Sequence, residues 1–147
     1  MFAWLFSAPL PIGTAAPDFT LPDQSGQPVH LADFQGHNVV LVFYPGDDTT
    51  VCRSQLCEFR DSWEAARERK VQVFGVNPQN AASHEKFQTR YLLPFPLLVD
   101  QGKRVASLYH ADGPIVRRTV YLIGPDGVIR YTRRGKPPAS EVLAAAA

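Results

Sequence analysis

From Asn38 to Tyr44 the chain reads Asn-Val-Val-Leu-Val-Phe-Tyr, and Pro45-Gly46 follow at once. A continuous β-branched and aromatic run closed by turn residues predicts a strand buried on both faces, at the centre of a sheet. Val71 to Val76 is a second strand candidate, Pro96 to Val99 a short third and Thr119 to Ile123 a fourth. The fourth runs into Gly124-Pro125-Asp126-Gly127 before Val128 to Thr132 resumes a strand-like composition, which predicts a hairpin. Near the start, Phe19 to Leu21 and Pro28 to Leu31 flank Asp23-Gln24-Ser25-Gly26, a second and smaller hairpin.

Between the first two main strands the period changes. Leu56, Phe59, Trp63 and Ala66 recur at helical spacing, so about Thr50 to Lys70 is predicted as one amphipathic helix. A second helix is expected from Asn80, as N-cap, to about Tyr91, with Pro94 ending the segment. A shorter one is expected over Lys103 to Tyr109, and Ser140 is placed to cap a last helix. The order strand, helix, strand, helix, strand, hairpin predicts an α/β sandwich whose first two main strands are parallel and whose final hairpin is antiparallel. A thioredoxin-like fold, a central mixed β-sheet flanked by helices with an N-terminal β-hairpin, fits that order.

Composition narrows the picture. The 147 residues suit one domain over 1–147, and no repeat or linker divides them. Lys and Arg total 15 against 14 Asp and Glu, and the basic residues are scattered apart from pairs such as Arg117-Arg118 and Arg133-Arg134. Neither nucleic acid nor an anionic membrane is therefore expected as the main partner. The apolar opening within residues 1–12 has no basic leader and is too short to span a bilayer, so it is read as a terminal arm. An arm bearing Phe2, Trp4, Leu5 and Phe6 has to pack on something.

The only cysteines are Cys52 and Cys57. A disulfide-stapled secreted domain carries more of them, spread to close long loops, so this pair points to chemistry and to a reducing cytoplasm. Two cysteines without clustered histidines do not supply four zinc ligands, and no metal is expected. His30, His37, His84 and His110 share no ligand spacing and are read as surface or satisfied histidines. Cys52 falls in the first turn of the predicted helix, with Thr49 or Thr50 as N-cap. Unpartnered N–H groups and the positive end of the macrodipole both favour a thiolate there. An isolated cysteine is also often a small buried hydrophobe, and spacing alone leaves that alternative open.

On a helix, Cys52 shares its stripe with Leu56, Phe59 and Trp63 and points inward, at the mouth of a pocket. Cys57 is rotated from it by about 140°, and the two Cα atoms stand about 8 to 9 Å apart. Bridging needs no more than about 7 Å. Any disulfide between them therefore requires the first turns of the helix to unwind, which is feasible at a helix end carrying the polar Arg53, Ser54 and Gln55.

Pro45 to Cys52 reads Pro-Gly-Asp-Asp-Thr-Thr-Val-Cys, a Pro-x-x-x-Thr-x-x-Cys pattern directly after the buried strand. This resembles the active-site motif of the peroxiredoxins. The stretch from Phe43 to Asp61 is similar to the peroxiredoxin Q branch, also called bacterioferritin comigratory proteins. Ala16 to Leu21, Pro94 to Asp100 and Arg118 to Ile123 extend the similarity over most of the chain.

The resemblance implies a peroxidatic Cys52, a resolving Cys57, and a Thr49 that bonds to the thiolate and the peroxide. It also implies a Pro45 that shields the site from water and an Arg118 that holds the thiolate and polarises the peroxide. Arg117 should face the other way by strand alternation. The implied activity is reduction of hydrogen peroxide and organic hydroperoxides through a Cys52–Cys57 disulfide. The implied recycling agent is thioredoxin or a similar dithiol, with no cofactor, in a monomer.

Three positions depart from the family pattern. Thr50 replaces a frequent Pro, Gly46 a frequently basic residue in a loop it should soften, and Gln55 a common Glu. A thiol-disulfide oxidoreductase on the same fold is the nearest rival, although it would ordinarily use Cys-x-x-Cys. A non-enzymatic binding or holdase protein using the apolar arm is the rival from another class.

Overall fold

The structure, a computed structural model, describes residues 7–146. Its main sheet runs β5-β4-β3-β6-β7, with β3 Asn38–Phe43, β4 Val71–Asn77, β5 Leu97–Val99, β6 Thr119–Ile123 and β7 Ile129–Arg134. Every residue of β3 is buried, as an unbroken apolar run requires of a central strand. Its pairing with β4 is parallel and with β6 antiparallel, so the sheet is mixed. A separate antiparallel pair, β1 (Thr20–Pro22) and β2 (Pro28–His30), forms the N-terminal hairpin. Its turn is held by Asp23 Oδ1, which accepts from the Ser25 and Gln27 amides.

Alternation along the strands divides the core between the two sheet faces. Val40, Val42, Val73, Val120 and Leu122 pack with Leu56, Phe59, Phe87 and Val142 from α1 (Thr50–Asp61), α3 (Ala81–Tyr91) and α5 (Ala139–Ala144). Val39, Leu41, Phe43, Phe74 and Tyr121 pack on the other face with Phe19 and Leu21 of the hairpin region. Val105 and Ala106 of α4 (Arg104–Leu108) join them there. The result is the thioredoxin-like sandwich.

The structure departs from the expected helices at two places, the break after Asp61 and the start of α5. The segment from Thr50 does not continue to Lys70 as one helix. It breaks at Ser62 (φ −99°, ψ 13°), and α2 covers Trp63–Glu68. The turn sets the Trp63 ring against Phe95, with centroids 6.2 Å apart. Helix α3 keeps its expected span: it starts at the Asn80 cap, whose side chain accepts from the Ser83 amide, and ends at Tyr91, where Leu92 turns left-handed (φ 52°) ahead of Pro94. Ser140 lies inside α5 and caps nothing, because the first amide, Ala139 N, donates to Glu58 Oε1 of α1 at 2.6 Å. Lys136 Nζ donates to the same carboxylate at 3.2 Å.

Phe2, Trp4, Leu5 and Phe6 lie outside the described residues. The rest of the expected arm is tied down by hydrogen bonds. The Ser7 carbonyl accepts from Arg117 and Arg134, the Ala8 carbonyl bonds to His110 Nδ1, and the Leu10 amide donates to the Tyr121 hydroxyl at 2.9 Å. No helix among the described residues is long and apolar enough to cross a membrane.

Candidate active site

β3 delivers the chain into a short loop, Tyr44 to Thr49, from which α1 begins. Thr49 is the N-cap (φ −80°, ψ 154°), and its Oγ1 accepts from the Cys52 amide at 3.4 Å. Cys52 thus occupies the first helical turn, where the macrodipole is positive. Its side chain is completely buried among the cluster that contains Tyr44, Leu56, Phe59 and Phe95. The expected position at the mouth of a pocket is corrected accordingly: the sulfur is sealed. A cavity of about 290 Å³ lies elsewhere, lined by Leu31, Phe34, His37, Val39 and Asp126, and contains neither cysteine.

Arg118 reaches the sulfur. Its Nη2 donates to Cys52 Sγ at 3.2 Å and its Nη1 to Gln55 Oε1 at 2.8 Å. Gln55 Nε2 donates to the Gly135 carbonyl at 3.4 Å, and the Gly135 amide donates to the Arg118 carbonyl at 2.8 Å. Side chain and main chain of Arg118 are therefore fixed through one closed ring of bonds. Gly135 sits at φ 93°, a conformation that disfavours any side chain at this corner. Arg117 points away, to Ser7, as strand alternation anticipates. Gln55 retains the acceptor that a Glu would offer, without its charge.

Pro45 is half-buried in the loop, beside Gly46. A Cβ on Gly46 would stand 3.1 Å from Gln79 Oε1, and that same oxygen accepts from the Asp47 amide. The loop is anchored chiefly by residues that sequence reasoning passed over. Asp47 Oδ1 accepts from the Tyr44 hydroxyl (2.7 Å) and Asn77 Nδ2 (3.1 Å), while Oδ2 accepts from Ser83 Oγ (2.7 Å). His84 Nδ1 lies 2.6 Å from the same Oδ2, and its Nε2 lies 2.8 Å from the Leu98 carbonyl. Both ring nitrogens of this buried histidine are thus occupied by hydrogen-bond partners. Burial pushes the Asp47 carboxyl up, but the bonds from His84, Tyr44 and Ser83 outweigh it and hold the group below its ordinary value. Adjacent strand, loop and helix positions give no common spacing for these residues; the paired aspartates after a buried strand were the available signal.

Cys57 also lies on α1, half-buried, and both cysteines are free thiols on an intact helix. Burial pushes the Cys57 thiol up; Asp61 adds to that shift, and the Arg60 and Arg53 guanidiniums oppose it.

The chain matches the AhpC/TSA family model over residues 12–132. The chain belongs to this family, that of the peroxiredoxins. A chloroplastic peroxiredoxin Q of Oryza sativa subsp. japonica is 43% identical over 123 residues, covering 81% of this chain and 57% of that protein. The chain thus spans little more than half the length of that relative. The Sedum lineare peroxiredoxin Q is 38% identical over 131 residues, which are 85% of this chain and 70% of its own. Among solved structures, peroxidoxin BcpB from Mycobacterium tuberculosis superposes with a TM-score of 0.86 at 28% identity, covering 91% of this chain and 94% of the other. The mixed sheet and hairpin described above are thus the peroxiredoxin arrangement, with both cysteines of this chain on its first long helix.

Proposed function

We propose that this peroxiredoxin is a thiol-dependent peroxidase for hydrogen peroxide and organic hydroperoxides, with Cys52 as nucleophile. The observation that carries the reading is the 3.2 Å bond from Arg118 to the fully buried Cys52 Sγ. A guanidinium there stabilises the thiolate and then the negative charge that grows on the leaving oxygen. The Thr49 hydroxyl, which accepts from the Cys52 amide, keeps its own proton to donate toward thiolate or peroxide. Pro45 shields the sulfur from water.

Cys52 thiolate attacks one peroxide oxygen, the O–O bond breaks, and the departing oxygen leaves as water or an alcohol once protonated. The resulting sulfenic acid is attacked by Cys57 after the start of α1 unwinds, giving an intramolecular disulfide and water. Thioredoxin or a similar dithiol restores both thiols by exchange. Both thiols sit on one helix, which suits a monomer, and we place the cycle in a reducing cytoplasm.

The test is peroxide consumption with a thioredoxin system, followed by intact mass. The wild type should turn over and lose two hydrogens on oxidation, and Cys52→Ser should consume no peroxide. Steady turnover by Cys52→Ser would refute the assignment.

A further inference from the structure

Cys57 lies between two arginines on one face of α1. Arg53 precedes it by four residues and Arg60 follows by three, so the three side chains form one stripe. Both arginines end on the same residue of α3. Arg53 Nη1 donates to the Tyr91 hydroxyl at 3.1 Å, and Arg60 Nη1 donates to the Tyr91 carbonyl at 2.7 Å. The Arg53 guanidinium also stands over the Tyr91 ring, 5.6 Å from its centroid. Asp48, left-handed at φ 57°, joins the cluster through Arg90 at 2.8 Å and Arg53 at 3.6 Å. Cys57 and Tyr91 pack, both half-buried, against the same apolar core. The loop before Cys52, the polar stripe of α1 and the end of α3 are thereby fastened together at Tyr91.

This arrangement bears on the resolving step, and the inference rests on the peroxidase reading above. The unwinding that brings Cys57 to Cys52 moves Arg53, which lies between them, and so breaks its bonds to Tyr91 and Asp48. We propose that Tyr91 is a positioning residue that holds Cys57 back and sets the lifetime of the Cys52 sulfenic acid. That acid has two fates. In one, the Cys57 thiolate attacks its sulfur, the S–S bond forms and hydroxide leaves, taking up a proton as water. In the other, a second hydroperoxide transfers an oxygen to the sulfur, giving sulfinic acid and releasing water or an alcohol. A firmer Tyr91 contact slows the first fate and so favours the second.

Tyr91→Phe tests this, since it removes the hydroxyl yet keeps the ring packed on Phe87, 5.6 Å away between centroids. In the reduced variant, amide hydrogen exchange over residues 53–57 should quicken about fivefold, the scale of one lost half-exposed hydrogen bond to a charged group. Disulfide formation after one equivalent of hydrogen peroxide should quicken by a similar factor. The sulfinic fraction at excess peroxide should fall, and the rate of sulfenic acid formation should stay at the wild-type value. Arg53→Gln, which leaves Tyr91 in place, should quicken exchange over the same residues, although it also removes a charge that favours the Cys57 thiolate.

Exchange and disulfide rates unchanged in both variants, in a wild type that turns over, would overturn the role of Tyr91 alone. Exchange raised equally throughout β3 would also overturn it, as the mark of general destabilisation. A wild type that forms no disulfide with peroxide would remove the peroxidase reading and this inference together, even if local exchange responded.

Discussion

Cys52 and Cys57 are five residues apart on one helix and live in different electrostatic worlds. Cys52 is completely buried, receives a guanidinium bond at its sulfur, and has its amide capped by Thr49. Cys57 is half-buried, its thiol is pushed up by desolvation, and Arg53 and Arg60, which oppose that shift, donate hydrogen bonds to Tyr91. The two positions differ in whether a cation is committed to the sulfur: Arg118 donates to Cys52 Sγ, whereas Arg53 and Arg60 bond to Tyr91. The same thiol chemistry is poised at one site and restrained at the other.

The contrast breaks most directly at Arg118. Arg118→Gln keeps a donor but removes the charge, and peroxide consumption should fall about 100-fold or more, the loss typical of one donor aimed at developing charge. A fall of less than threefold in stopped-flow competition with a standard peroxidase would mean that the sulfur does not depend on this cation.

Next in size is the scaffold under the Cys52 loop. His84→Ala removes the buried imidazole that bridges the Asp47 carboxylate and the Leu98 carbonyl, leaving Asp47 only Tyr44, Asn77 and Ser83, and should cost about 3 kcal/mol of stability in urea denaturation. The linkage has a definite sign. Asp47 is held below its ordinary value in the folded state, so its contribution is fully present above the unfolded value near 4 and is lost as pH falls through the folded one. The gap between wild type and His84→Ala should accordingly narrow in acid.

Cys57 sharpens the other half. Its raised thiol is mostly protonated at neutral pH, so disulfide formation should accelerate by close to tenfold per pH unit across the neutral range. Quenched-flow mass analysis would measure this, and a flat profile would mean that thiolate supply at Cys57 does not limit resolution. The smallest effect is expected from Thr50→Pro. Thr49 is already extended, as a residue before proline must be, and Thr50 is the first helical position. The variant should gain roughly 0.5 kcal/mol at the helix start and slow disulfide formation about twofold.

Much of this architecture was legible because it is written in local patterns. The run Asn38 to Tyr44 is unbroken because its strand is covered on both faces, and Asn80 caps α3 with its own side chain. The choice of Arg118 over Arg117 followed from strand alternation, and their partners lie on opposite sides. What escaped is held together across long stretches of sequence. The break at Ser62 is invisible to apolar periodicity because Trp63 and Ala66 keep the helical spacing across it. The start of α5 is capped by Glu58, more than 80 positions earlier, so the plausible local cap Ser140 misleads. His84 shows no spacing to Asp47, and only the folded chain reveals that its two nitrogens are both in use. The sealing of Cys52 is likewise a property of the packed cluster.

The bonds of Glu58 to Ala139 and Lys136 give α1 a direction. Just past Cys57 the helix is stitched to the C-terminal segment, whereas its first turn ends in a solvent-facing threonine cap. Melting can enter from the Thr49 side and meets a seam at the turn after the second cysteine. In the proposed cycle, the order–disorder boundary would fall where both thiols are released while the remainder of the helix, with the sheet beneath it, keeps its shape.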